Sequence, residues 1–266
     1  MILKAYEPDD AIERLERRLA TAKPDERAAI QEELRIRRAG IKGEREASYF
    51  LDFSFGSSKN HGVIHNLRIE HGGLTAQIDH LVINRFYNID ILETKHFASG
   101  LKIEEDGSFH RYDDYERRYV PIRSPLAQAE RHKELLISFL RANKMDPRSF
   151  GGVGLRLEPV VNCYVLVNTS AKIVRPVGLN TSHVIASDRF GERYYRNLDE
   201  RYGGMKTPLV LTLAPRIMSR SRLQKVSSGI AGCHRPRTPM EPIPDISGRM
   251  QQPIVASSVR WLPMNQ

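Results

Sequence analysis

Three ionisable residues near the middle of the chain, Asp79, Glu93 and Lys95, have the types and spacing that metal-assisted hydrolysis requires. Glu93 and Lys95 are two residues apart, so on a β-strand both side chains project from the same face. Mg²⁺ binds one or two carboxylates in proteins, keeps several waters and is readily shared with a substrate phosphate. A lysine beside such a cation can stabilise the charge that develops during attack on phosphorus. These residue types therefore suit hydrolysis of a phosphodiester.

A hairpin would bring the three residues together. Residues 75–83 and 89–97 alternate in the manner of β-strands, and the five residues between them are few enough for an antiparallel connection centred on Phe86. The pairs that this register predicts are Ile83 with Ile89, Leu81 with Ile91, Asp79 with Glu93, and Gln77 with Lys95. All eight side chains would share one face, and two opposed carboxylates there would need a compensating cation. The alternative, an exposed hairpin with a Glu–Lys ion pair, stays open.

Glu44 is a further candidate because of its position on a helix predicted from residue 43 to residue 53. Glu44, Ala47, Ser48 and Leu51 follow the spacing of residues that share one helix face. A carboxylate on a buried face is costly unless a cation or hydrogen bonds stabilise it, which favours a role in a site. The alternative is a glutamate placed to interact with the helix dipole.

The N-terminal segment has the composition and spacing of helix. Residues 9–38 carry apolar side chains at helical intervals, with a break expected at Pro24 and an end at Gly40. We expect a helical hairpin that packs on the rest of the protein or pairs with a second copy, giving a homo-oligomer.

The remaining chain alternates between strand and helix signals. A helix should begin at Pro125, with Ser124 as its N-cap, and reach about Asn143. Strands are predicted at 63–69, 100–112, 119–122, 158–167, 182–186 and 208–213, with a short helix at 199–202. This order predicts a mixed α/β fold.

The charge distribution favours a polyanionic partner. The net charge is +9, and residues 215–266 contribute about +6 of it because they hold eight Lys or Arg and two acidic residues. The same segment holds seven of the fifteen prolines, so we expect an irregular basic tail.

Several classes of protein are disfavoured. The longest apolar runs are far shorter than the roughly 20 residues that cross a bilayer, and the N-terminus lacks the pattern of a secretory signal. We therefore expect a cytoplasmic protein with no membrane partner. The only two cysteines, Cys163 in an apolar run and Cys233 in the tail, exclude a disulfide framework and a paired-cysteine zinc site.

The motifs together resemble the NERD family, the nuclease-related domain, which is similar to the PD-(D/E)xK nucleases. The resemblance rests on residues 77–83 and 91–95, on Gly43-Glu44 upstream, and on Ser124-Pro125 followed by Gln128. It implies a restriction-endonuclease-like mixed β-sheet flanked by α-helices, with Glu44, Asp79, Glu93 and Lys95 converging on a metal ion and Gln128 nearby. The expected organisation is an N-terminal helical extension at 1–40, a nuclease-like domain at 41–214 and the tail at 215–266.

The function expected from these features is Mg²⁺- or Mn²⁺-dependent cleavage of nucleic acid, with DNA as the substrate. Metal ligands would be Asp79, Glu93 and Glu44, with Lys95 in catalysis and Gln77 and Gln128 in support. The alternatives are a non-catalytic nucleic-acid-binding module that keeps the nuclease fold, and a self-associating protein. One departure from the family is Asn88-Ile89-Asp90, where a glycine and an apolar strand start are usual. Asp90 should point away from the site.

Overall fold

The structure is a computed structural model that describes residues 1–8, 10–145, 158–202 and 217–237. Within these residues there are five α-helices: α1 (Ala11–Thr21), α2 (Pro24–Phe55), α3 (Pro125–Ala142), α4 (Phe190–Tyr202) and α5 (Arg220–Gly232). The first seven strands are β1 (Ile2–Lys4), β2 (His61–His71), β3 (Leu74–Asn84), β4 (Asn88–Lys95), β5 (Gly100–Ile103), β6 (Phe109–Asp113) and β7 (Arg118–Ile122). Three more follow α3, namely β8 (Val160–Val167), β9 (Lys172–Val174) and β10 (Val184–Ala186).

The strands form two mixed sheets. The larger sheet has six strands in the order β1-β2-β3-β4-β8-β10. Strands β2, β3 and β4 are antiparallel neighbours, whereas β4, β8 and β10 run parallel to one another. The smaller sheet has the order β7-β6-β5-β9. Mixed sheets flanked by helices confirm the predicted α/β class.

Helices cover both faces of the larger sheet. On one face, Leu136 and Leu140 of α3 and Leu223 of α5 pack in the main core cluster with the aliphatic residues of the β3–β4 hairpin. On the other face, α2 and α4 pack in a second cluster that includes Leu51 and Phe190. Full burial of each such side chain contributes on the order of 1.5–3 kcal/mol, so both helical layers stabilise the sheet.

Helix α2 differs from its prediction. The chain breaks before Pro24 as expected, but α2 then continues for 32 residues through Gly40, so a helix end at Gly40 is wrong. Glycine inside a helix costs about 1 kcal/mol relative to alanine. That cost is offset because α2 buries Ile30 and Leu34 against α1 and Leu51 against the sheet. The expected boundary at residue 40 thus falls inside a continuous helix.

The C-terminal segment also differs. Residues 220–232 form helix α5, so an irregular structure is wrong for this part of the expected tail. Ser219 caps the helix by accepting a hydrogen bond from the Arg222 amide at 3.1 Å. Leu223, Ser227 and Ile230 are buried at helical spacing. These three positions lie outside the proline-rich part of the segment, which dominates its average composition.

The remaining helices and strands match their predicted bounds to different degrees. Strand β1 was not predicted, and α4 begins at Phe190 rather than near residue 199. Helix α3 begins and ends as expected, and its cap, Ser124, accepts a hydrogen bond from Ala127. The strand expected at 208–213 and the tail beyond residue 237 lie outside the described residues. In the described ranges, no helix is both long enough and apolar enough to cross a bilayer.

Candidate active site

The β3–β4 hairpin has the predicted register near its turn. Ile83 pairs with Ile89 and Leu81 with Ile91, and the four of them lie in the main core cluster. The ladder ends one residue further on, at the pair His80–Leu92. The expected pairs Asp79–Glu93 and Gln77–Lys95 therefore lie beyond the paired part of the hairpin, where the two strands separate.

Asp79 lies where the strands separate. Its Oδ2 accepts a hydrogen bond from the Thr94 amide at 2.8 Å, so its carboxylate reaches towards β4. On its other side, Asn66 has φ 49° and has no partner in the β2–β3 ladder, although the pairs that flank it are formed. Ile78 and Leu81 both pack in the main core cluster, which an uninterrupted strand would not allow. The alternation is thus interrupted at Asp79.

This irregularity changes where Gln77 points. Because the alternation is interrupted, Gln77 does not share a face with Leu81 as the sequence predicted. Its Oε1 instead accepts a hydrogen bond from Nη2 of Arg237 at 3.2 Å. The structure therefore brings Gln77 to the segment that follows α5 and not to Lys95.

Glu93 and Lys95 form an ion pair on the face covered by α3. Lys95 Nζ donates to Glu93 Oε1 at 2.8 Å and lies 3.4 Å from Gln128 Oε1 on α3. The Glu93 side chain is 2% exposed and that of Lys95 is 32% exposed. Burial lowers the pKa of Lys95, but the charges of Glu93 and Asp79 outweigh burial, so its pKa lies above the ordinary value. Lys95 is therefore charged and open to a ligand.

The second oxygen of Glu93 faces a histidine that the sequence did not single out. Glu93 Oε2 is buried without a hydrogen-bond partner and lies 3.8 Å from Nδ1 of His132, which is also buried and unpartnered. His132 is one helical turn after Gln128 on α3, so both side chains can reach the same strand. That spacing is the signal from which His132 could have been predicted.

Glu44 approaches the site from α2. Ala47, Ser48 and Leu51 are buried as the helical spacing predicted, and Glu44 is partly buried beside Tyr6. Burial raises the pKa of Tyr6, and both the charge of Glu44 and its hydrogen bond to Tyr6 raise it further. Tyr6, which precedes α1, was not among the predicted site residues.

Gly43 explains how α2 comes so close to the end of β4. A Cβ atom added at Gly43 would lie 2.9 Å from Cβ of His96, a distance shorter than side chains tolerate. Glycine at this position therefore allows the helix to place Glu44 near the separated strands.

Burial and like charges raise the pKa of Asp79. The largest cause is removal of the carboxyl group from water, followed by the charges of Glu93 and Glu44. Lys95 and the Thr94 amide oppose these effects. Three carboxylates thus act on one another electrostatically, which is the condition in which a bound cation would be favourable.

The donor set fits a hard divalent cation in part. Carboxylate oxygens are the ligands that Mg²⁺ and Mn²⁺ prefer, and Glu93 Oε2 is a buried oxygen without a hydrogen bond. Over the described ranges, however, no three His, Cys, Asp or Glu side chains are grouped closely enough to hold a metal ion as they stand. Binding would therefore require small shifts of the side chains, including Lys95.

Asp90 points away from this site, as expected. It is buried on the opposite face of β4, where its Oδ1 accepts a hydrogen bond from Asn162 at 2.7 Å. Burial raises the pKa of Asp90 to about 6.

A mixed sheet with helices on both faces, and with acidic residues and a lysine where one hairpin opens, defines a nuclease-like α/β protein. Residues 39–166 match the family model described as the nuclease-related domain, NERD. This part of the chain therefore belongs to the NERD family, as its motifs predicted, and its function is nuclease-related. All six predicted site residues lie within the match. No curated protein and no solved structure matches the chain significantly.

Proposed function

We propose that this protein is a Mg²⁺- or Mn²⁺-dependent nuclease that hydrolyses phosphodiester bonds of DNA. The observation that supports this most is the convergence of Asp79 and Glu93 where β3 and β4 separate, with a buried and unpartnered oxygen on Glu93. An isolated buried carboxylate oxygen is costly, and a cation is the ligand that would compensate it.

Each residue has a role in this proposal. Asp79 and Glu93 hold the cation, with Glu44 as a further ligand. The Thr94 amide orients Asp79, and Gln128 lies beside Lys95. Lys95 is charged and partly exposed, so it can stabilise the negative charge that develops on the phosphate. When bound, the cation would neutralise charge on the phosphate and lower the pKa of the attacking water.

A cleavage assay tests this proposal. The purified protein is incubated with supercoiled, linear and single-stranded DNA in Mg²⁺, in Mn²⁺ and in EDTA. We expect cleavage in at least one of the two metals and none in EDTA. Cleavage that persists in EDTA would contradict a metal-dependent mechanism, and an intact substrate in every condition would contradict a nuclease.

A second candidate function is a nucleic-acid-binding module without catalysis. It is favoured by the ion pair between Lys95 and Glu93, which engages one oxygen of an expected metal ligand. DNA binding without cleavage in either metal would identify this function. Cleavage would exclude it.

Self-association is a further proposal, and α2 is the element that supports it. The apolar residues of α1 pack against α2 of the same chain, whereas Tyr49 and Phe53, one turn apart on α2, are exposed. Light scattering that gives the mass of one chain at all concentrations would contradict this proposal.

A cytoplasmic location is likewise an expectation, which cell fractionation would test.

A further inference from the structure

A basic cleft lies outside the site described above, beside β10. It has a volume of about 930 Å³ and is lined by the chain that follows β8, by β10 and by α4. Its arginines are Arg175, Arg189, Arg193 and Arg196. We call these four residues the arginine cleft.

Arg193 and Arg196 belong to α4, and Arg189 is the residue directly before its first turn. Arg193 is four residues after Arg189 and three residues before Arg196, the intervals that place side chains on the same side of a helix. Arg175 reaches the cleft from the loop after β9. Two separate elements thus direct positive charge into one cleft.

Two of these guanidinium groups differ in how they are held. Arg175 donates from Nη1 to the carbonyl and hydroxyl oxygens of Thr181 at 2.7 and 2.8 Å, and from Nη2 to the Val184 carbonyl at 2.6 Å. These contacts fix Arg175 through neutral acceptors. In contrast, Nε of Arg193 is buried and has no hydrogen-bond partner in the described structure. A buried donor without an acceptor is costly, so an acceptor from a ligand would be stabilising.

Acidic residues of the cleft do not balance this charge. Glu192 forms an ion pair with Arg196, while Asp188 and Glu200 are exposed at the cleft. Among the described residues, neither Arg175 nor Arg193 has an ion-pair partner. Burial and the charge of Arg193 both lower the pKa of Arg175, which indicates that the two cations repel each other. An anion between them would relieve that repulsion.

The cleft and Lys95 lie at the same end of the parallel strands β4, β8 and β10, with α4 on the face of the sheet opposite to α3. Lys95 ends β4, and its neighbour on β8 is Val167; β10 is the next strand beyond β8. Because adjacent strands are about 4.8 Å apart, β10 lies about 10 Å from β4. Thr169, which lines the cleft, donates from its amide to Glu46 on α2, the helix that carries Glu44. A nucleic-acid strand that crosses this end of the sheet would pass both sites.

We propose that the arginine cleft binds a phosphate group of the nucleic-acid strand on which the candidate active site acts. Guanidinium groups are suited to this role because their planar donors match phosphate oxygens and remain charged at all physiological pH values. The proposal rests on the proposed function for the identity of the polymer. The phosphate is either an internal phosphodiester or the terminal phosphate of the strand, since the two present the same oxygens.

Binding without metal tests the cleft separately from catalysis. The affinity of the full-length protein for a short fluorescent single-stranded DNA, with or without a 5′-phosphate, is measured in EDTA over a series of salt concentrations. The variants are Arg193→Gln and Arg189→Gln. The latter is an exposed position, so it keeps the test valid if Arg193→Gln folds poorly. Arg118→Gln on β7 is the matched control, because Arg118 is exposed and paired with Glu116.

We expect Arg193→Gln to weaken binding about tenfold and to reduce the salt slope by about one, as loss of a charged phosphate contact does. Arg189→Gln should act in the same direction, while Arg118→Gln should bind as the wild type does. A loss of affinity confined to DNA with a 5′-phosphate would show that the cleft binds the terminal phosphate. An equal loss of affinity for both DNAs would show that it binds an internal phosphodiester.

Wild-type affinity and salt slope in both cleft variants would overturn the proposal. If the wild type cleaves DNA while these variants bind normally, phosphate binding by the arginine cleft is wrong and the proposed nuclease activity is supported. If the cleft variants lose affinity while the wild type does not cleave DNA, the proposed nuclease activity is wrong and phosphate binding by the arginine cleft is supported.

Discussion

At the scale of single residues, the two oxygens of Glu93 have different environments. Oε1 accepts a hydrogen bond from Lys95, and Oε2 is buried opposite His132 without a hydrogen bond. A distance of 3.8 Å between Oε2 and Nδ1 is too long for a hydrogen bond. Both atoms are buried without a hydrogen bond, so a carboxylate oxygen and a ring nitrogen would be available here to hold a cation. We therefore expect His132 to contribute to the binding of a cation at Glu93.

Replacement of His132 by Phe tests this role, because the ring is retained and both nitrogens are lost. We expect the affinity for Mn²⁺, measured by calorimetry, to fall on the order of 10-fold or more, as occurs when support of a metal site is removed. His110→Phe is the matched control, since Nδ1 of His110 on β6 is also buried without a hydrogen bond and lies 4.0 Å from Glu104, which follows β5. Equal Mn²⁺ affinity in the wild type and His132→Phe would exclude the role.

At the scale of elements, strand β4 carries carboxylates on both faces. Glu93 faces α3 and has the Lys95 ammonium beside it, whereas Asp90 faces the other side and accepts a hydrogen bond from the neutral amide of Asn162. Burial raises the pKa of Asp90 to about 6, so the folded protein binds this proton more tightly than the unfolded chain does. The stability that this gives is present below the unfolded pKa of about 3.9 and is lost as the pH rises through about 6.

Asp90→Asn should therefore stabilise the protein at pH 8 and not at pH 4. The gain at pH 8 is expected on the order of 2–3 kcal/mol, because a neutral amide replaces a buried charge and can still accept the hydrogen bond from Asn162. Thermal unfolding of both proteins at the two pH values measures the difference. An equal change in the unfolding temperature at both pH values would show that the charge of Asp90 is not the cause.

Helix α5 is an element whose removal should disturb the main core. Leu223 is fully buried among residues of β2 and β3, and Lys225 on the same helix is exposed. Leu223→Ala should lower the free energy of unfolding by about 2–5 kcal/mol, and Lys225→Ala by less than about 0.5 kcal/mol. Denaturant titration of the two variants gives both values. Similar small effects would mean that α5 does not pack on the sheet in solution.

Elements with strong periodicity could be predicted from the sequence, and irregular ones could not. The alternation of apolar side chains and the short turn were sufficient to predict the hairpin register from Ile83 to Leu81. The interruption of this alternation at Asp79 lies beside the positive φ of Asn66, which the composition does not indicate. Helix α2 continues through Gly40, and residues 220–232 form helix α5, because burial against the rest of the fold outweighs the helix propensity of the local sequence. The spacing of His132 from Gln128 was a signal in the sequence, but its approach to Glu93 became visible only from the packing of α3 on β4.

At the scale of the whole molecule, the positive charge lies partly on folded structure. Residues 217–237 contain five Lys or Arg and no acidic residue. They form α5 and a segment in which the Arg235 amide donates to the Arg68 carbonyl and Arg237 contacts Gln77 on β3. These basic residues were expected in an irregular tail. They lie instead beside the sheet that carries the candidate site, where their charge can attract a polyanion.

The central claim is that Asp79 and Glu93 form a catalytic metal centre, and the DNA cleavage rate in Mn²⁺ tests it most directly. Asp79→Asn and Glu93→Gln each retain the shape of the side chain, and Asp90→Asn is the control for loss of a carboxylate on the far face of β4. The account predicts a rate at least about 100-fold below that of the wild type for the first two variants and an unchanged rate for Asp90→Asn. Wild-type cleavage by Asp79→Asn or by Glu93→Gln would contradict it.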